Sequence, residues 1–331
     1  MNAGDVPTRE NGSVTAPSVD SSPPPLRIVF AGSPDAALPS LDALLASRHE
    51  VVAVISREDS PVGRKRVLTP TPVAARALAA GIELLRADRL TADVTERVAA
   101  LEPDLGVIVA YGGLVREPLL STPKHGWINL HFSRLPRWRG AAPVQRAIMA
   151  GDDETAATVF QLVPALDAGP VFAERIEPIG RFQTAGDLLE RLAEVGAQTL
   201  VDVVDAIADG TAVAVEQVGE ATLAPKLSVD DGVVDWGAPA TEIDRLIRGV
   251  TPEPGASTSL QGERFKLIEA AVAHDAPRLA PGVVDAAAKR ILVGTGDSAL
   301  ELHRVQPAGR TVMAAADWWR GRSTEQSTVL A

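Results

Sequence analysis

The sequence predicts an α/β domain built on a mainly parallel sheet, followed by a smaller β-barrel. Three observations carry that expectation. Apolar runs alternate with helical periods across residues 26–208, and the run 105–110 is apolar throughout, like a central strand covered on both faces. Beyond residue 231, about five short strands are separated by turn signals at Gly262, Gly282, Gly294 and Gly296.

Residues 1–25 are rich in Ser, Pro, Thr, Asp and Gly with almost no apolar content, and are expected to form a disordered tail. Residues 26–31 read as a buried strand ending in the turn Gly32-Ser33-Pro34-Asp35. Leu41, Leu44 and Leu45 then fall at helical spacing, and a second strand follows at 51–55. Strand, helix and strand in that order predict parallel pairing through a right-handed crossover. Residues 57–72 read as a long loop without secondary structure that carries Arg64, Lys65 and Arg66; such loops are often functional. A helix at 73–80, a strand at 83–85 and a helix at 91–100 precede the central run. That run stops at Tyr111, Gly112 and Gly113, where glycine lets a ligand approach the backbone.

A strand ending at His131 comes next, then a helix to Ala150 with Pro143 suited to its first turn. Strands at 155–162 and 171–176 flank a connection containing Leu166-Asp167-Ala168-Gly169. A long amphipathic helix over 184–208 ends at Asp209-Gly210-Thr211, which closes a first domain at 26–210. Residues 211–230 show little periodicity and read as a linker. The second domain, 231–331, should hold a helix at 240–248 and strands at 256–260, 264–273, 282–284, 290–293 and 299–305.

Composition removes several function classes. The chain has no cysteine, which excludes disulfides, cysteine-ligated zinc and a thiol nucleophile. Its five histidines are too scattered for a local metal motif, and Gly32-Ser33-Pro34 lacks the glycine spacing of a dinucleotide binder. No metal, nicotinamide or flavin is therefore expected. No apolar run approaches the roughly 20 residues needed to cross a bilayer, and residues 1–25 lack the apolar region of a secretory signal, so a soluble cytoplasmic protein is expected. The formal charge is −11, so a polyanion would have to be met by local basic patches. Two stand out: Arg64-Lys65-Arg66, and Arg134, Arg137 and Arg139 with Arg146 further on.

The most informative stretch is Asn129-Leu130-His131-Phe132-Ser133-Arg134-Leu135-Pro136. In a strand, Asn129 and His131 share one face while Ile128 and Leu130 share the other. An amide and an imidazole at the end of an apolar parallel strand border the crevice where open α/β sheets bind ligands. Asp167 lies in a loop able to return to that crevice, where a carboxylate would orient the imidazole. Such a trio can polarise a carbonyl and move a proton without a nucleophilic side chain, which suits acyl transfer to an external amine. Each residue also has a plainer reading, as a satisfied polar group at a strand end or an Asp in a turn.

Taken as an ordered set, several motifs resemble the folate-dependent formyltransferase family. They are Ala31-Gly32-Ser33-Pro34-Asp35, Val109-Ala110-Tyr111-Gly112, Asn129-Leu130-His131, Ser133-x-Leu135-Pro136, Arg139-Gly140-Ala141-Ala142-Pro143 and Leu166-Asp167-x-Gly169. The resemblance runs from about Leu26 nearly to the C-terminus. It implies a Rossmann-like catalytic domain and an OB-type C-terminal barrel. It also implies transfer of a formyl group from 10-formyltetrahydrofolate to the α-amino group of methionine on initiator tRNA, by a monomer. On that basis Asn129, His131 and Asp167 are catalytic. Tyr111, Gly112, Ser133, Arg134, Leu135 and Pro136 meet the folate, and Arg64, Lys65 and Arg66 meet the tRNA together with the barrel. Arg134 departs from the family's Ser-Leu-Leu-Pro, and a guanidinium in an apolar pocket is unfavourable unless it turns out or pairs. Ala168 stands where threonine is common. The same trio would serve a formyltransferase for an amino-sugar nucleotide, a hydrolase releasing formate, or, if decayed, a non-catalytic RNA-binding protein.

Overall fold

The computed structural model describes residues 1, 23–63, 65–287, 289–322 and 328–331. The first half of the chain alternates strands and helices. Its elements are β1 (Arg27–Gly32), α1 (Leu38–Ala46), β2 (Glu50–Ser56), β3 (Ser60–Val62), β4 (Val67–Thr69), α2 (Pro72–Ala79), β5 (Glu83–Arg86), α3 (Ala92–Ala100) and β6 (Leu105–Val109). There follow β7 (Trp127–His131), β8 (Arg139–Gly140), α4 (Pro143–Ala150), β9 (Glu154–Gln161), β10 (Val171–Pro178) and α5 (Ala185–Ala208). One sheet runs in the order β10-β9-β7-β6-β1-β2-β5. The five strands from β5 to β7 are parallel, and β9 and β10 turn antiparallel at one edge.

Both faces of this sheet are covered, which is why β6 is buried along its whole length. One face packs Ile28, Phe30, Ile128 and Leu130 against Leu41 and Leu44 of α1 and Leu188, Leu192 and Leu200 of α5. The other packs Val29, Ile55, Ile108 and Trp127 against Val94 and Val98 of α3. Thr184 and Asp187 cap the start of α5 reciprocally, each side chain taking the other's backbone N–H.

The remaining elements are β11 (Leu223–Ala224), α6 (Ala240–Gly249), β12 (Ala256–Leu260), β13 (Glu263–Val272), β14 (Val283–Ala287), β15 (Arg290–Gly294), β16 (Ala299–Gln306), β17 (Met313–Ala314), α7 (Ala315–Arg320) and β18 (Thr328–Val329). An antiparallel sheet in the order β12-β13-β16-β15-β14-β18 curls on itself, and the chain end nearly closes it. β18 pairs with β14, while Ala331 exchanges backbone hydrogen bonds with Ser259 of β12 (2.7 and 2.9 Å). Its core gathers Phe265, Leu267, Leu300, Leu302 and Trp318 around Ile243 and Ile247 of α6. The two halves meet where α6 packs on α4. Gly249 is needed there, because a Cβ would lie 2.5 Å from the Met149 side chain.

One expectation needs correction. Residues 57–72 are not without secondary structure: β3 and β4 form a short antiparallel hairpin. All six of its strand residues are exposed, so no buried face marked it in the sequence. The linker, for its part, contains β11, which pairs in parallel with β8. Among the described residues, no helix is long and apolar enough to cross a membrane.

Candidate active site

The carboxyl ends of β1, β6 and β7 open on one edge of the parallel sheet, and the candidate residues collect there. Asn129 pairs in register with Ile108 on one side and Phe160 on the other, and His131 sits opposite Thr158. Asn129 is half-buried, whereas His131 is 7% exposed, so the imidazole is shielded while the amide keeps access to the crevice. The ring is fixed on two sides. Nε2 lies 2.9 Å from the Trp138 carbonyl and can only donate to it, which assigns the proton to Nε2 in the neutral ring. Phe160 meets the ring edge-on, with centroids 6.3 Å apart.

That leaves Nδ1 facing Asp167, whose Oδ2 is 4.0 Å away. This exceeds a hydrogen bond but lies within reach of a small adjustment. The same Oδ2 accepts the Gly140 N–H at 2.7 Å, so the carboxylate bridges toward both the imidazole and β8. Gly169 explains how the loop gets this close: a Cβ there would sit 1.8 Å from the Gln161 carbonyl oxygen. Three non-glycine residues with positive φ surround the site: Ala110 (50°), Trp138 (62°) and Asp167 (45°). Backbone held in this region by its surroundings is a recurrent feature of functional sites.

The turn after β7 is braced internally. Ser133 is fully buried, its Oγ donates to the Arg137 carbonyl (2.7 Å), and its own carbonyl accepts from Thr158 Oγ1 (2.7 Å). Leu135 and Pro136 are buried, but Arg134 is exposed. Its guanidinium turns outward to Glu154 (2.5 Å) and Glu174 (3.6 Å), which resolves the difficulty its charge posed. Tyr111 also differs from the simplest expectation. Its ring lies in the core cluster that also holds Trp127, its hydroxyl donates to the Ala87 carbonyl (2.6 Å), and burial pushes its pKa above the ordinary value. Gly112 follows it with φ +79°.

The second basic patch is largely neutralised in the fold. Arg137 pairs with Asp152 (2.6 Å) and Arg146 with Asp231 (3.1 Å), while Arg139 donates to Gln217 (2.6 Å). The Asp231 carboxyl is held below its ordinary pKa by the Ser228 N–H and hydroxyl, with Arg146 adding to the effect. Of the first patch, Lys65 and Arg66 are exposed at the hairpin tip, and Arg64 lies outside the described residues. Two surface concavities, of about 550 and 260 Å³, lie against α5 and include none of these side chains. Gln217 and Trp138 escaped the sequence reading. The partners of Gln217 come from residues 139, 167 and 169, and no local pattern announces them.

The fold is thus a mainly parallel sheet followed by an antiparallel barrel, with Asn129 and His131 on β7 and the Asp167 loop beside them. The chain belongs to the formyl transferase family: residues 26–204 match the formyl transferase model and residues 226–323 the model of the formyl transferase C-terminal domain. Among curated relatives, the methionyl-tRNA formyltransferase of Clavibacter sepedonicus is 59% identical over 91% of this chain and 98% of its own. That of Leifsonia xyli subsp. xyli is 60% identical over 91% of this chain and 99% of its own. In fold, the chain is similar to an N-formyltransferase from Helicobacter canadensis solved with folinic acid and dTDP-3-aminofucose. The TM-score is 0.66 at 18% identity, covering 85% of this chain and 99% of that one.

Proposed function

We propose that this enzyme transfers the formyl group of 10-formyltetrahydrofolate to the α-amino group of methionine on initiator tRNA. The observation that carries the choice of acceptor is identity of 59–60% to methionyl-tRNA formyltransferases over nearly their whole length. The arrangement of Asn129, His131 and Asp167 supports the chemistry. The attacking amine forms a bond to the formyl carbon while the bond from that carbon to the folate nitrogen breaks. A proton must therefore leave the amine and reach the folate nitrogen.

His131 is built to carry it. Its Nε2 is committed to the Trp138 carbonyl, so Nδ1 holds the free lone pair that takes the amine proton and returns it to the leaving nitrogen, directly or through water. Asp167, 4.0 Å from Nδ1, stabilises the positive ring while it holds that proton. Asn129 and the protonated ring together face the oxygen on which negative charge develops. The folate is read by the backbone at Tyr111 and Gly112 and by the turn of Ser133, Leu135 and Pro136. Arg134 contributes its main chain to that turn while its guanidinium stays outside.

Lys65 and Arg66, on the exposed hairpin, meet the acceptor end of the tRNA together with Arg64. We assign catalysis to residues 26–210 and further tRNA contact to the barrel at 231–331, joined through 211–230, in a monomeric cytoplasmic enzyme. The test is whether purified protein consumes 10-formyltetrahydrofolate only when methionine-charged initiator tRNA is added. Turnover with water alone, or with an amino-sugar nucleotide and not with tRNA, would overturn the assignment.

A further inference from the structure

The segment between the two halves does more than join them. Gln217 lies within it, and both ends of its amide are occupied. Nε2 donates to the carbonyl of Asp167 (2.8 Å) and to that of Gly169 (2.9 Å), the residues on either side of Ala168. Oε1 accepts from Arg139, whose Nη2 is 2.6 Å and Nε 3.2 Å away. A little further on, Thr222 Oγ1 accepts the Trp138 N–H and the Thr222 carbonyl accepts the Arg139 N–H, both at 2.9 Å. β11 then continues alongside β8. A single side chain and a two-residue strand thus tie the Asp167 loop to the stretch whose Trp138 carbonyl fixes the His131 ring.

We infer that Gln217 is a positioning residue, which sets the distance from Asp167 to His131 by clamping the Asp167 and Gly169 carbonyls to Arg139. The inference rests on the assignment of Asp167 to proton transfer. The residue type fits the task. Only a carboxamide can give two N–H groups to carbonyls at one end and accept a guanidinium at the other, and glutamine has the longer reach. Asp167 also needs an external hold, because its φ of 45° is a conformation that non-glycine residues leave when unrestrained. Glutamate would keep the Arg139 contact but turn an acceptor toward two carbonyl oxygens, and leucine would keep only the volume.

Two variants, Gln217→Leu and Gln217→Glu, test this in the full-length enzyme. Both should lower kcat by roughly 10–100-fold, with KM for charged tRNA within about twofold of wild type and a melting temperature lowered by no more than about 10 °C. A purely space-filling role would instead be rescued by the near-isosteric glutamate. In an Asp167→Ala background the same changes should cost less than about twofold, since the group they position is gone. Hydrogen exchange at the Gly140 amide gives a readout free of activity. Its N–H is bonded to Asp167 Oδ2 and should become less protected in both variants. Full activity in Gln217→Glu, effects additive with Asp167→Ala, or unchanged Gly140 protection would overturn the inference. Absence of transfer in the wild type would instead overturn the functional assignment, while the exchange measurement would still decide on the clamp.

Discussion

Gly169→Ala is the perturbation whose consequence is easiest to work out from the structure. The Cβ it adds would lie 1.8 Å from the Gln161 carbonyl oxygen, where contacts under 3.0 Å essentially do not occur, so the loop and β9 must separate by about 1.2 Å. Gln161 has little freedom to give way. Its N–H is bonded to the Pro170 carbonyl, and its side chain donates to the carbonyls of His125 and Trp127. The loop moves instead, and Asp167 moves with it, away from an imidazole that is already 4.0 Å distant. Misplacing a catalytic group by about 1 Å lowers a rate by roughly 10²-fold. Overpacking at a tight site destabilises by about 1–3 kcal/mol. Single-turnover transfer of formyl to charged tRNA, alongside a thermal melt, measures both. A variant that keeps its rate within about twofold of wild type would refute the claim that the approach of Asp167 to His131 governs the reaction.

Other expected outcomes follow from the same geometry. Arg134→Leu should leave kcat and the KM for folate within about threefold, because it removes two exposed ion pairs worth at most about 1 kcal/mol each; a larger drop in folate use would place the guanidinium in the pocket. Lys65→Ala combined with Arg66→Ala should raise the KM for tRNA and flatten its dependence on salt, by about one unit of log–log slope for each phosphate that the variant no longer neutralises. An unchanged salt slope would remove the hairpin from the tRNA interface. Burial holds the pKa of His49 below its ordinary value, against the opposing pull of Asp205, so the unfolded chain takes up this proton first as pH falls. Stability should therefore decline as pH drops below about 6.5. His49→Asn, whose side-chain oxygen can replace Nδ1 as acceptor of the Leu26 N–H, should show a shallower decline in denaturant midpoint. An identical pH profile would exclude His49 as the source.

The local parts of this molecule were readable because their signals are local. Period-two alternation gave the faces of β7, and a purely apolar run gave the central strand β6. What the sequence did not show depends on pairings across long stretches of chain. Arg134 is harmless because β9 and β10 bring Glu154 and Glu174 beside it, and neither is near it in sequence. The ring of Tyr111 lies in the core with its hydroxyl on the Ala87 carbonyl, a partner 24 residues away in the chain. The hairpin of β3 and β4 shows no alternation because neither of its faces is buried. α7 has only six residues, too few to display a helical period, so Trp318 gave no warning that it anchors the barrel core. Gln217 is the clearest case, since its importance lies wholly in which distant carbonyls it reaches.

The measurement that bears most directly on the trio is pre-steady-state formyl transfer to charged initiator tRNA by His131→Ala, with tRNA affinity measured in parallel. Removing the proton carrier should slow transfer by roughly 10²–10⁴-fold while affinity stays within about twofold. Transfer at the wild-type rate would contradict the account, because no proton route through the imidazole would then be needed.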